Sequence, residues 1–122
     1  MILVVDDEPE FLEEVLDTLA RRGLSATGES DPTRALDRLA REPEIDLVLT
    51  DLAMPGLDGV SLMTGARHAP GAPQGRRFVV MSGHAGESGF SAARAAGASA
   101  VIRKPVSEEE LLRILSIASS HS

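Results

Sequence analysis

The 122-residue chain contains no cysteine. That absence removes disulfides, thiolate metal ligands and cysteine nucleophiles, and it suits a reducing compartment. Tryptophan and tyrosine are also missing and phenylalanine occurs only three times, so a site that stacks nucleotide bases or single strands has few platforms. Positive charge is scarce. Twelve Lys and Arg face 19 Asp and Glu, a net charge of −7, and such a chain does not neutralise a nucleic-acid backbone unaided. Direct nucleic-acid binding is not expected, and a basic partner or a cation fits the balance better. No apolar run approaches the roughly 20 residues of a membrane span, and Met1 to Val5 is too brief for the apolar part of a signal peptide. The expectation is no membrane contact and a cytoplasmic location.

What is present reads as one globular domain covering residues 1–122, with 43% hydrophobic and 25% charged residues. Apolar runs at Ile2 to Val5, Leu47 to Thr50, Phe78 to Met81, and Val101 with Ile102 suit strands buried on both faces of a parallel sheet. Leu24 to Glu29 is more polar and reads as an edge strand. Helical spacing separates these runs. Phe11, Leu12, Val15, Leu16 and Leu19 recur every three or four residues after Pro9 and before Gly23. Asp31 and Pro32 form an N-cap and first-turn pair for a helix through Ala35, Leu36 and Leu39. Ser107 and Glu110 have capping-box spacing ahead of Leu111, Leu112, Leu115 and Ala118, and weaker patterns mark helices at Val60 to Ala66 and Ser88 to Ala96. Arg67 to Arg77, with two Pro and two Gly, reads as a solvated connection.

Five strands alternating with five helices define an α/β fold, a parallel sheet with helices on both faces joined by right-handed crossovers. Ligands in such sheets sit beyond the carboxyl ends of the strands. Those ends hold Asp6 and Asp7, Asp51, Ser82 and Lys104. Converging carboxylates repel by about 4 kcal/mol per pair at ~4 Å and an effective dielectric near 20, and a hard divalent cation such as Mg²⁺ compensates best. Asp6 and Asp7 alone would equally suit a helix start near Pro9, but three further strand ends carrying chemical groups favour a site. Together the groups describe phosphoryl transfer to a carboxylate. Asp51 would be the nucleophile, a metal would neutralise the phosphoryl oxygens, and Lys104 and the Ser82 hydroxyl would hold others.

At LVVDDEP (3–9), LVLTDLAMPGLDG (47–59), VVMSGHA (79–85) and AGASAVIRKPVSEEEL (96–111) the chain resembles the receiver domains of bacterial two-component response regulators. The resemblance spans nearly all 122 residues. It implies a flavodoxin-like, CheY-like sheet of strand order 2-1-3-4-5, with Asp51 as phosphoacceptor and with Lys104 and Ser82 as its catalytic companions. It further implies metal binding by Asp6, Asp7, Asp51 and the Ala53 backbone carbonyl, with Mg²⁺ as cofactor and Mn²⁺ as a substitute, and a cis bond before Pro105. The implied partners are a histidine kinase or phosphotransfer protein and an output partner or fused effector domain, engaged through the helix 4, strand 5 and helix 5 face. A homodimer through that region is a further expectation. The implied chemistry acts on the protein itself, so a turnover enzyme is not expected.

One position departs from the family. Val101 stands where many receivers carry an aromatic ring or His that moves with the switch hydroxyl, and it reads better as an ordinary core strand residue. A haloacid-dehalogenase-like phosphatase working through an aspartyl phosphate is the alternative. Such enzymes place a second Asp two residues after the nucleophile, where this chain has Ala53. A nucleotide-binding module is less consistent still, because no Gly-rich phosphate loop follows the first strand.

Overall fold

A computed structural model describes residues 1–83 and 86–119, with side chains described up to residue 116, so His84, Ala85 and the Ala118 side chain lie outside the described residues. The strands are β1 (Ile2–Val5), β2 (Ala26–Glu29), β3 (Leu47–Asp51), β4 (Arg77–Ser82) and β5 (Ala100–Arg103). They alternate with α1 (Pro9–Arg21), α2 (Pro32–Arg41), α3 (Gly59–His68), α4 (Glu87–Ala95) and α5 (Glu108–Ser119). All strand pairs are parallel, in the order β2-β1-β3-β4-β5. The expected fold is the observed one.

Period-two alternation sends neighbouring residues of each inner strand to opposite faces, which is why these strands are apolar throughout. Ile2, Val4, Leu49, Val79 and Met81 pack with Val15 and Leu19 of α1 and with Leu111, Ile114 and Leu115 of α5. Leu3, Val5, Val48 and Phe78 pack on the other face with Ala35 and Leu39 of α2 and with Leu62, Met63 and Ala66 of α3. At about 1.5–3 kcal/mol for each large buried side chain, these two layers dominate the stability. Fixing the central strands also fixes where each one ends.

Local chemistry sets the helix limits. Asp31 accepts the Thr33 N–H at 2.9 Å and Asp58 accepts the Ser61 N–H at 2.7 Å, so α2 and α3 both begin on side-chain caps. The Ser107 hydroxyl likewise accepts the Glu110 N–H at 3.1 Å ahead of α5. Gly23, at φ 73, ends α1, and the Leu24 N–H then turns back onto the Leu19 carbonyl. Leu24 therefore belongs to the end of α1 and β2 starts only at Ala26, two residues later than the sequence pattern suggested. α4 buries only Phe90 and Ala93. It is tied down from outside, where the Arg67 guanidinium donates to the Ala96 and Gly97 carbonyls and the Arg103 guanidinium lies 4.9 Å from the Phe90 ring centre.

Within the stretch from Arg67 to Arg77, residues 69–75 form the exposed or half-exposed connection expected, and the departures are at its ends. Its first residues belong to α3, and Arg76 is buried, donating to the backbone carbonyls of Ile45, Leu39 and Glu42 at 2.7–3.0 Å. Those carbonyls lie at and beyond the end of α2; that of Glu42 also accepts the Ile45 N–H at 3.1 Å, and one guanidinium supplies a donor to all three. Burial lowers the Arg76 pKa, against the opposing pull of Asp46 and Glu44.

Candidate functional site

Because the strands are parallel, all their carboxyl ends open at one edge, and a cleft of about 580 Å³ lies there, lined by Asp7, Glu8, Asp51, Ala53, Ser82 and Lys104 among others. Each sequence-predicted site residue is at this edge. Asp6 directly follows β1, Asp51 ends β3, Ser82 ends β4 and Lys104 directly follows β5. Asp6, Asp51 and Ser82 are buried, and Lys104 is half-buried.

Lys104 organises the cluster. Its Nζ donates to Asp6 Oδ2 at 2.8 Å and to Glu8 Oε1 at 3.3 Å, and lies 3.6 Å from Asp51 Oδ2. The Phe11 ring sits beneath it, 4.2 Å from the ammonium to the ring centre, an arrangement that favours the charged form. Burial works against that charge, yet the Lys104 pKa is raised, because the hydrogen bond to Asp6 and the nearby Asp51 and Glu8 outweigh the desolvation. The peptide bond from Lys104 to Pro105 is cis.

Asp6 has both oxygens engaged, one by Lys104 and the other by the Glu8 N–H at 2.9 Å. It thus shapes the turn into α1 and anchors Lys104 from beneath the cleft surface. Burial raises the Asp51 pKa, Lys104 opposes the rise, the nearby Asp6 adds to it, and the backbone N–H of Ala53 donates to the carboxylate. The turn after Asp51 is tight. The Gly59 N–H closes onto the Leu52 carbonyl at 2.8 Å, and a Cβ at Gly59 would stand 2.5 Å from the Asp51 carbonyl oxygen.

Asp6, Glu8 and Asp51 each bring a carboxylate oxygen within 4.8 Å of the other two. Asp7 is exposed, lines the same cleft and stands outside that closest group. Glu8 carries no strand-end signal in the sequence, because it is the N-cap of α1. An all-oxygen donor set suits a hard cation such as Mg²⁺ or Ca²⁺ and offers nothing to a soft one. Val101, half-buried in β5 and paired with Val80, occupies an ordinary strand position.

Comparison with known proteins accounts for this arrangement. The family model for the response regulator receiver domain matches residues 2–116, and the chain belongs to that family. The transcriptional regulatory protein KdpE of Mycobacterium tuberculosis is 32% identical over 118 residues, 97% of this chain and 50% of KdpE. The chain spans half or less of the length of the first curated relatives it matches. Among solved structures, a CheY-like receiver domain protein from Methanospirillum hungatei superposes with a TM-score of 0.87 at 26% identity, covering 98% of this chain and 93% of that one. A Burkholderia pseudomallei response regulator carrying a phosphorylated aspartic acid, a calcium ion and citrate superposes at 0.83 and 26% identity, covering 98% of this chain and 68% of that one. The protein is a receiver domain of two-component signalling.

Proposed function

We propose that residues 1–122 form one receiver domain that accepts a phosphoryl group on Asp51 from a histidine kinase or phosphotransfer protein and thereby alters a partner-binding face. The observation carrying this reading is the Asp51 carboxylate at the cleft, 3.6 Å from the Lys104 ammonium and beside the Asp6 and Glu8 carboxylates. In the transfer an Asp51 Oδ attacks phosphorus, the bond from phosphorus to the donor atom breaks, and the donor leaves with the bonding pair. Lys104 pairs with one phosphoryl oxygen and the Ser82 hydroxyl donates to another. Ala53 lines the cleft and holds Asp51 through its N–H.

A Mg²⁺ ion fits this donor set, held by Asp6, Asp7, Asp51 and the Ala53 carbonyl, and when bound it supplies positive charge against the phosphoryl oxygens. Mn²⁺ has the same preference for oxygen and would substitute. The phosphorylated aspartic acid and calcium ion named for the Burkholderia structure support both parts of the reading. The chemistry acts on the protein itself, for both phosphorylation and its reversal. Ala53, two residues past Asp51, carries no acid or base, which disfavours the dehalogenase-like phosphatase.

Output would pass through α4, β5 and α5 to a partner, a fused effector domain or a second copy of the chain. Among the described residues no helix is long and apolar enough to cross a membrane, and the proposed setting is the cytoplasm. The test is incubation with acetyl phosphate and Mg²⁺ followed by intact-mass measurement. One phosphate should appear on the wild type, be removed by alkaline hydroxylamine, and be absent from Asp51→Asn. An unlabelled wild type, or equal labelling of the two, would overturn the reading.

A further inference from the structure

We propose that Glu8 is a positioning residue that holds Lys104 in the resting state, so that an incoming phosphoryl oxygen competes with the Glu8 carboxylate for the ammonium. The proposal rests on Asp51 being the phosphoacceptor and concerns what sets the rate at which it is filled.

An ammonium has three N–H donors. Lys104 faces three carboxylates, at 2.8 Å from Asp6, 3.3 Å from Glu8 and 3.6 Å from Asp51, and the Phe11 ring lies 4.2 Å away. Asp6 and Glu8 take two of these donors, and Asp51 stands just beyond hydrogen-bond distance of the ammonium. A phosphoryl oxygen on Asp51 that draws the ammonium toward itself therefore stretches the bonds to Asp6 and Glu8, and one of them must yield. Asp6 cannot leave, since its side chain is fully buried and its second oxygen is pinned by the Glu8 N–H. Asp51 is the acceptor itself. The Glu8 side chain is 68% exposed and makes no capping hydrogen bond to α1, so it can swing into water at little cost.

Charge points the same way. Asp6, Asp7, Asp51, one divalent cation and Lys104 would balance to zero, and Glu8 adds a surplus negative charge where an anion must enter. An exposed ion pair contributes little, and releasing one of this kind corresponds to a rate change of roughly two- to five-fold.

The experiment compares labelling rates of wild type, Glu8→Gln and Glu8→Asp at a fixed low concentration of acetyl phosphate in excess Mg²⁺, read by intact mass, with melting temperatures measured alongside. Glu8→Gln keeps the reach and removes the charge. Glu8→Asp keeps the charge but draws it back by ~1.5 Å, toward the N–H groups that an Asp at this N-cap favours. Both variants should label about two- to five-fold faster than wild type. A purely structural role for Glu8 would move the melting temperature and leave those rates alike. Unchanged or slower labelling of both would overturn the proposal, and so would a faster Gln variant beside an Asp variant matching wild type, since the effect would then be long-range charge. A wild type that takes no label at all would instead overturn the phosphoacceptor reading.

Discussion

Replacing Asp51 by Asn should make the metal-free protein more stable while weakening its response to Mg²⁺. The Asp51 carboxylate lies within 4.8 Å of an Asp6 oxygen and 3.6 Å from the Lys104 ammonium. At an effective dielectric of about 20 the Asp6 repulsion is about 3.5 kcal/mol and the Lys104 attraction about 4.6 kcal/mol, and the exposed Glu8, also within 4.8 Å, adds further repulsion, so the attraction is offset. What remains is the cost of withdrawing a carboxylate from water, of order 1–2 kcal/mol after the donation from Ala53 is counted. Asn keeps the shape and removes that cost. For a domain of this size 1 kcal/mol corresponds to about 4 °C, so Asp51→Asn should melt about 4–8 °C above wild type in EDTA at neutral pH. Burial raises the Asp51 pKa, so the stability contributed by its neutral form is complete below the unfolded-state carboxylate pKa and lost as pH rises through the folded value. The gap between the two proteins should therefore close as pH falls toward ~4. With Mg²⁺ at ten times its dissociation constant the wild type should gain about 1.4 kcal/mol, or about 5 °C, and the variant distinctly less. A variant that melts below wild type in EDTA, or that shifts equally with Mg²⁺, would refute the electrostatic account of the cleft.

Arg76→Ala removes the guanidinium donors of the Leu39 and Ile45 carbonyls, leaves that of Glu42 with the Ile45 N–H alone, and should cost about 2–4 kcal/mol in urea unfolding, while Asp51 labelling in the folded fraction stays unchanged. Gly59→Ala drives a methyl against the Asp51 carbonyl oxygen and should reduce stability and labelling together, by about 2 kcal/mol and several-fold respectively. Equal labelling by that variant would mean that the turn after Asp51 does not position it.

The sheet could be read from the chain because its inner strands are buried on both faces, and double burial leaves an unbroken apolar signature in each. The strand ends, and with them Asp6, Asp51, Ser82 and Lys104, followed from that same signature. Edges were harder. Leu24 has the apolar character of a strand residue but its N–H closes the end of α1, and only the backbone shows which demand prevails. Asp58 caps α3 two residues ahead of Val60, where the apolar pattern of the helix begins. Glu8 and Arg76 escaped for a different reason. Each acts through a partner far away in sequence, and side-chain pattern within a segment carries no trace of such a pairing.

The Asp6 and Lys104 side chains that meet at 2.8 Å are 98 positions apart, and between them the chain must lay down β3 and β4 before β5 has an edge to join. During synthesis at ~5–20 residues per second, about 5–20 s separate the appearance of the first acid from that of its lysine. Through that interval the acidic residues have no cationic counterpart from β5. A ribosome-bound chain that stops short of Lys104 presents the acids without the ammonium that joins them in the finished fold.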